Sequence, residues 1–171
     1  MQPSDGVAPL NQERRPPTAK DFPASGPFSL AAAGARFASR AVDLSVIGLP
    51  VLTYLAFITT VVDGTVRCEV PLWLGPATFA FGALYEALFV STLGRTPGKW
   101  LFGLRVVRLI DGGRPDPDRA LLRGMVPWSF VALPLGAFAV PATLGTFGWV
   151  SGELHLSIAD RAAGTVVIST R

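Results

Sequence analysis

The chain reads as an all-α integral membrane protein on three observations: two long apolar runs, little charge, and cations gathered beside those runs. Residues 41–62 and 70–93 are runs of about 22 to 24 residues without a Lys or Arg. About 20 apolar residues, rising about 1.5 Å each, cross a hydrocarbon core about 30 Å thick. Only 16% of the 171 residues are charged and 50% are hydrophobic, with a mean hydropathy of +0.44; an average soluble domain is about 25% charged. Of the 15 Lys and Arg residues, five fall in residues 1–40, one in 63–69, seven in 94–123 and two in 151–171. Because cations are retained on the cytoplasmic side, the N-terminus and the 94–123 segment are expected inside, and the Arg67–Cys68 loop outside, in a multi-pass cell-membrane protein.

Taken in order, residues 1–27 hold six of the 15 prolines and few apolar residues, so they are expected to form a flexible cytoplasmic tail. They lack the apolar centre of a secretory signal, so the first span is expected to be retained. A membrane domain of residues 28–171 follows. Residues 28–40 suit an amphipathic lead-in helix, with Arg36 and Arg40 one turn apart and Phe37 toward the membrane. The first span, residues 41–62, contains Pro50, whose freed backbone acceptor a side chain such as Thr53 can satisfy. Asp63-Gly64 makes an outer turn, and Trp73 opens the second span, residues 70–93, at the interface. The two spans make a helical hairpin.

Gly94-Arg95-Thr96-Pro97-Gly98-Lys99 ends the second span. It is not a phosphate loop: three residues rather than four separate Gly94 from Gly98, and Trp100 stands where Ser or Thr is required. Residues 104–110 are β-branched at their centre and precede the turn Asp111-Gly112-Gly113, which predicts a short cytoplasmic strand. Asp118 is read as the N-cap of a helix over residues 119–133. The third apolar segment, residues 124–150, carries three prolines and four glycines. Either it crosses as a third transmembrane helix, or it turns at Pro134-Leu135-Gly136 and returns as a re-entrant helical hairpin. The return is favoured, because an arm of about 14 residues is too short to cross, and because only a return lets residues 164–169 pair with the 104–110 strand.

Three blocks carry a resemblance: Arg36 with Asp43 seven residues on; Thr96-Pro97-Gly98-Lys99 followed by Leu101 and Gly103-Leu104-Arg105-Val106-Val107; and Asp160-Arg161-Ala162-Ala163-Gly164-Thr165-Val166-Val167. In this order, over residues 34–169, they resemble the RDD family of integral membrane proteins, named for one Arg and two Asp. The resemblance implies that Arg36, Asp43 and Asp160 are the three naming residues. The family often places His before the last Asp; here that residue is Ala159, and the only histidine is His155. Cation/proton exchange for some members and accessory roles in membrane complexes for others are the activities the resemblance implies.

A carboxylate at bilayer depth costs about 2.5 to 3.5 kcal/mol on insertion scales, so Asp43 and Glu86 are the candidate proton or cation site. The plain alternatives are Asp43 paired with Arg36 or Arg40 at the inner interface, and Glu86 neutral and hydrogen-bonded to Thr53, Tyr54 or a carbonyl. Arg95 and Lys99 are candidates for contact with an anionic lipid headgroup or a partner's carboxylate. His155 has no nearby His or Cys to share a metal, and the single Cys68 excludes an intrachain disulfide. No nucleophile motif or carboxylate pair on a soluble cleft is present. No cofactor and no nucleic-acid partner are expected. The reading is a non-enzymatic accessory or assembly subunit, its partners the bilayer and its anionic headgroups and either other membrane subunits or further copies of itself, with Gly82, Ala83 and Ala87 suited to close packing. The alternative is a monovalent cation/proton exchanger acting as an oligomer.

Overall fold

Two helices carry the apolar runs: α1 (Ala33–Ile58, 26 residues) and α2 (Leu74–Leu93, 20 residues). The computed structural model describes residues 17–132, 139–148 and 152–171. Thr60–Val62 (β1) and Thr65–Arg67 (β2) form a short antiparallel hairpin between them, turning at Asp63 and Gly64, whose φ values are 50° and 71°. The first span therefore ends four residues before Val62, because the β-branched residues Thr60, Val61 and Val62 pair as a strand rather than extend the helix. Trp73 caps α2, and Gly94 ends it in the left-handed conformation. In α1 the Thr53 hydroxyl donates to Leu49 O and not to Val46 O, the acceptor that Pro50 leaves free.

The rest comprises α3 (Pro97–Leu101), β3 (Leu104–Arg108), α4 (Pro117–Ala132), α5 (Ala139–Gly148), α6 (Ile158–Ala163) and β4 (Thr165–Ser169). Strands β3 and β4 pair antiparallel, Val106 opposite Val167. One face, with Leu104, Val106 and Val167, packs on Val90 of α2, Ala120 of α4 and Ala31. The other, with Val107, Val166 and Ile168, is covered by Phe22, Leu30, Leu109 and Leu156. α4 begins at Pro117, where a proline costs no hydrogen bond, so Asp118 lies in its first turn rather than at the N-cap.

The chain around Phe28 departs from a lead-in helix. Phe28 N–H donates to Ser169 O, Ala31 N–H to Val167 O, and Leu30 bridges Ile168, so residues 28–31 lie beside β4 and α1 starts only at Ala33. The free edge of a two-stranded sheet offers backbone partners that a new helical turn does not. Of the expected tail, residues 1–16 lie outside the described residues, whereas Thr18–Asp21 form a capped turn and Phe22 covers the sheet.

The two spans do not form a tightly packed hairpin. α1 touches α2 little; α2 packs along α4, and α1 packs on α3 and α5. The small residues explain why. A Cβ on Gly82 would lie 2.2 Å from the Trp128 ring, and one on Gly124 would lie 2.8 Å from Ala83 O, so Gly82, Ala83 and Gly124 let α4 approach α2. The expected turn at Pro134-Leu135-Gly136 lies outside the described residues.

Candidate functional site

Seven charged residues are buried among the described residues: Arg36, Arg40, Asp43, Glu86, Lys99, Arg123 and Asp160. They come from α1, α2, α3, α4 and α6 and meet in one ionic network.

Asp160 is positioned by its own helix. Ser157 is the N-cap of α6, donating both its N–H (3.0 Å) and its hydroxyl (2.8 Å) to Asp160 Oδ2, while Asp160 N–H returns a bond to Ser157 Oγ. Arg36 Nη1 donates to the same oxygen at 3.0 Å, and its Nη2 reaches Val167 O at 3.1 Å, tying α1 to β4. Arg123 Nη1 donates to Asp160 Oδ1 and to Thr165 Oγ1. Burial pushes the Asp160 carboxyl up, but Arg123 and Arg36 outweigh it and hold the group at about 2, against an ordinary 3.8.

Glu86 lies 0% exposed among three cations: Arg40 Nη1 at 2.8 Å, Arg123 Nε at 3.3 Å and Lys99 Nζ at 3.6 Å. It is not hydrogen-bonded to Thr53 or Tyr54, which lie more than two helical turns further along α1. The cations come from α1, α4 and α3, and a buried carboxylate is tolerated only when so paired. Arg40 also stacks on Trp128, 5.5 Å from the ring centroid.

Asp43 accepts from Thr96 Oγ1 (2.6 Å), Gly98 N–H (2.9 Å) and Tyr85 Oη (3.1 Å), with Lys99 Nζ 3.9 Å away. The arrangement rests on Thr96-Pro97-Gly98-Lys99. Thr96 is the N-cap of α3 and Pro97 follows at its first helical position. Gly98 lies so close to α1 that a Cβ would be 2.0 Å from Ser39 O. The block that ends the second span is thus a clasp on Asp43.

The naming residues are brought close together, yet Arg36 pairs with Asp160 and not with Asp43. Seven residues along one helix leave the two about 10.5 Å apart at about 1.5 Å per residue, while α6 brings Asp160 within reach. Arg95 and Lys99 are separated: Lys99 is buried in the network, while Arg95 lines a surface pocket of about 290 Å³ with Trp100 and Arg171. His155 is exposed, in a loop with φ 51°. Sequence reasoning missed Arg123 and gave Arg40 no tie to Glu86. The signal for Arg123 was a helical stripe in α4, Ala120, Arg123, Gly124, Pro127 and Trp128, in which a lone cation shares the apolar face.

The RDD family model matches residues 30–164, from the strand-like entry through Asp160 to the turn before β4. The chain belongs to the RDD family. With its two apolar helices, this marks the RDD chain as a membrane protein. No curated protein and no solved structure matches it significantly. Among the described residues no group of three His, Cys, Asp or Glu side chains could hold a metal.

Proposed function

We propose that this RDD protein is a non-enzymatic accessory or assembly subunit of a larger membrane complex, and that its ionic network is a structural clasp. The supporting observation is that the carboxylates nominated for exchange are surrounded by the chain's own cations and donors. Glu86 faces Arg40, Arg123 and Lys99, and Asp43 faces Thr96, Gly98, Tyr85 and Lys99. A monovalent cation entering this site would meet three positive side chains, Arg40, Lys99 and Arg123, which disfavours cation/proton exchange. α1 buries only 11% of its apolar window, so Phe37, Val46, Leu49, Leu52 and Phe57 are left for lipid, another subunit or a second copy.

The N-terminus and the seven cations of residues 94–123 are placed in the cytoplasm by the positive-inside rule. The β3–β4 ladder supports a re-entrant path for residues 124–150, since strands that bracket the segment can pair only on one side of the bilayer.

Purification of the full chain in mild detergent, followed by mass spectrometry, should recover stoichiometric membrane partners. Reconstituted alone, it should give no cation flux driven by a pH gradient above that of empty liposomes. Flux that disappears in Glu86→Gln would overturn the reading in favour of the exchanger.

A further inference from the structure

The pocket that Arg95 lines takes no part in the ionic network. It lies where α2 ends at Gly94 and α3 begins, with walls from Arg95, Trp100, Leu101, Gly103, Thr170 and Arg171 and a volume of about 290 Å³. No Asp or Glu side chain lines it. Arg95 makes no hydrogen bond or ion pair among the described residues. Arg171 Nη2 donates to Leu101 O at 3.3 Å, which anchors the guanidinium at the pocket and leaves its other donors without a partner among those residues. Gly103 makes room for that side chain: its φ is 63°, and a Cβ there would lie 2.7 Å from Arg171 Nε. The Arg171 main-chain oxygen accepts from the Ser169 hydroxyl at 2.8 Å. Around the pocket Leu93, Trp100, Leu101 and Phe102 are exposed, Trp100 by 62%.

We infer that this pocket binds the phosphodiester headgroup of one anionic phospholipid, with Arg95 and Arg171 on the phosphate and Trp100 at the level of the headgroups. The charge sets the class of ligand. Two guanidinium groups without an acidic side chain between them present planar forks of N–H donors that match phosphate oxygens. A choline headgroup carries its own ammonium, which the same cations repel, so the lipid is anionic and not zwitterionic. The place sets its source. α2 is long and apolar enough to cross a bilayer, so its end at Gly94 meets the headgroups, where an indole is favoured. The exposed Leu93, Leu101 and Phe102 give acyl chains an apolar wall that a free phosphate does not use. At about 30 Å³ per water in the liquid, the space takes roughly ten heavy atoms, enough for a phosphate esterified to glycerol. Lys99, the other cation of the block that ends α2, is buried in the network and contributes nothing here. The site is independent of the accessory reading, since an exchanger could hold the same lipid.

The full chain, freed of lipid in a non-ionic detergent, is titrated with phosphatidylglycerol, phosphatidylcholine or inorganic phosphate at constant ionic strength, and bound lipid is counted by native mass spectrometry. One phosphatidylglycerol should bind saturably, about tenfold more tightly than phosphatidylcholine, and inorganic phosphate should not displace it. Arg95→Gln and Arg171→Gln should each weaken that binding about tenfold, the loss of one charge-assisted contact. Lys20→Gln removes an exposed cation that does not line the pocket and should leave binding unchanged. Equal binding of the two lipids would overturn the site, as would binding that survives both arginine substitutions or falls equally in Lys20→Gln. Displacement by inorganic phosphate would make this a free-phosphate site and overturn the lipid. Arg95→Gln breaks no hydrogen bond among the described residues, so it decides alone if Arg171→Gln does not fold.

Discussion

Asp160 is the residue on which most of the clasp converges. It receives Arg36, Arg123 and both Ser157 donors, so Asp160→Asn takes the carboxylate from the buried Arg36 and leaves Arg123 with Glu86 alone. A loss of about 3–5 kcal/mol is expected for breaking such a buried pair, read as a lower melting temperature in detergent or reduced abundance in the membrane. Its pH dependence has a definite sign. The folded carboxyl is held at about 2 against an ordinary 3.8, so its contribution is complete above about pH 4 and is lost as pH falls toward 2. That contribution is about 2 kcal/mol, and thermal unfolding followed from neutral to acid pH should show the loss in the wild type and a flatter profile in Asp160→Asn. The partnership is tested by a double-mutant cycle. Arg36→Gln and Asp160→Asn should be non-additive by about 0.5–3 kcal/mol, whereas Arg36→Gln and Asp43→Asn should come closer to additivity because those two side chains do not pair.

At the scale of elements, two glycines decide which helices meet. Gly98 brings α3 against α1 closely enough for its N–H to reach Asp43, and a Cβ there would strike Ser39 O at 2.0 Å. Gly98→Ala should therefore push α3 off α1 and cost at least about 1–3 kcal/mol, the usual range for overpacking. Gly82 holds α4 against α2 through the Trp128 ring, and Gly82→Val should be destabilising by a similar amount. Both are checked by thermal unfolding beside a substitution at Gly48 of α1, where a Cβ meets nothing within 4 Å and little change is expected. The two sites belong to different contacts, so their effects should add.

For the whole molecule, the β3–β4 ladder is the strongest constraint on topology. The return proposed for residues 124–150 would keep both paired strands, and with them Arg36 and Asp160, on one side of the bilayer. A cysteine at Ser169 in a Cys68→Ser background should resist a membrane-impermeant thiol reagent in intact cells and react once they are opened. A cysteine at Thr65, in the β1–β2 hairpin, should react in both. Labelling at Ser169 in intact cells would place β4 outside and rule out the return.

Composition and periodicity by themselves determine much of this molecule. Twenty or so consecutive apolar residues have few alternatives to a helix, so α1 and α2 were legible to within a few residues at most of their ends. The β-branched run at residues 104–108 and its partner at 165–169 were legible for the same local reason. The blocks around Arg36, Thr96-Pro97-Gly98-Lys99 and Asp160 were visible as motifs. Their pairing was not. Arg36 and Asp43 share a helix, yet Arg36 binds Asp160, which is 124 residues away in sequence. Glu86 looked like a lone intramembrane acid because the side chains that surround it belong to α1, α3 and α4. Helix periodicity gives the face on which a charge lies, but only the packing of helices distant in sequence decides which opposite charge it meets, since that depends on angles and offsets that no local pattern encodes.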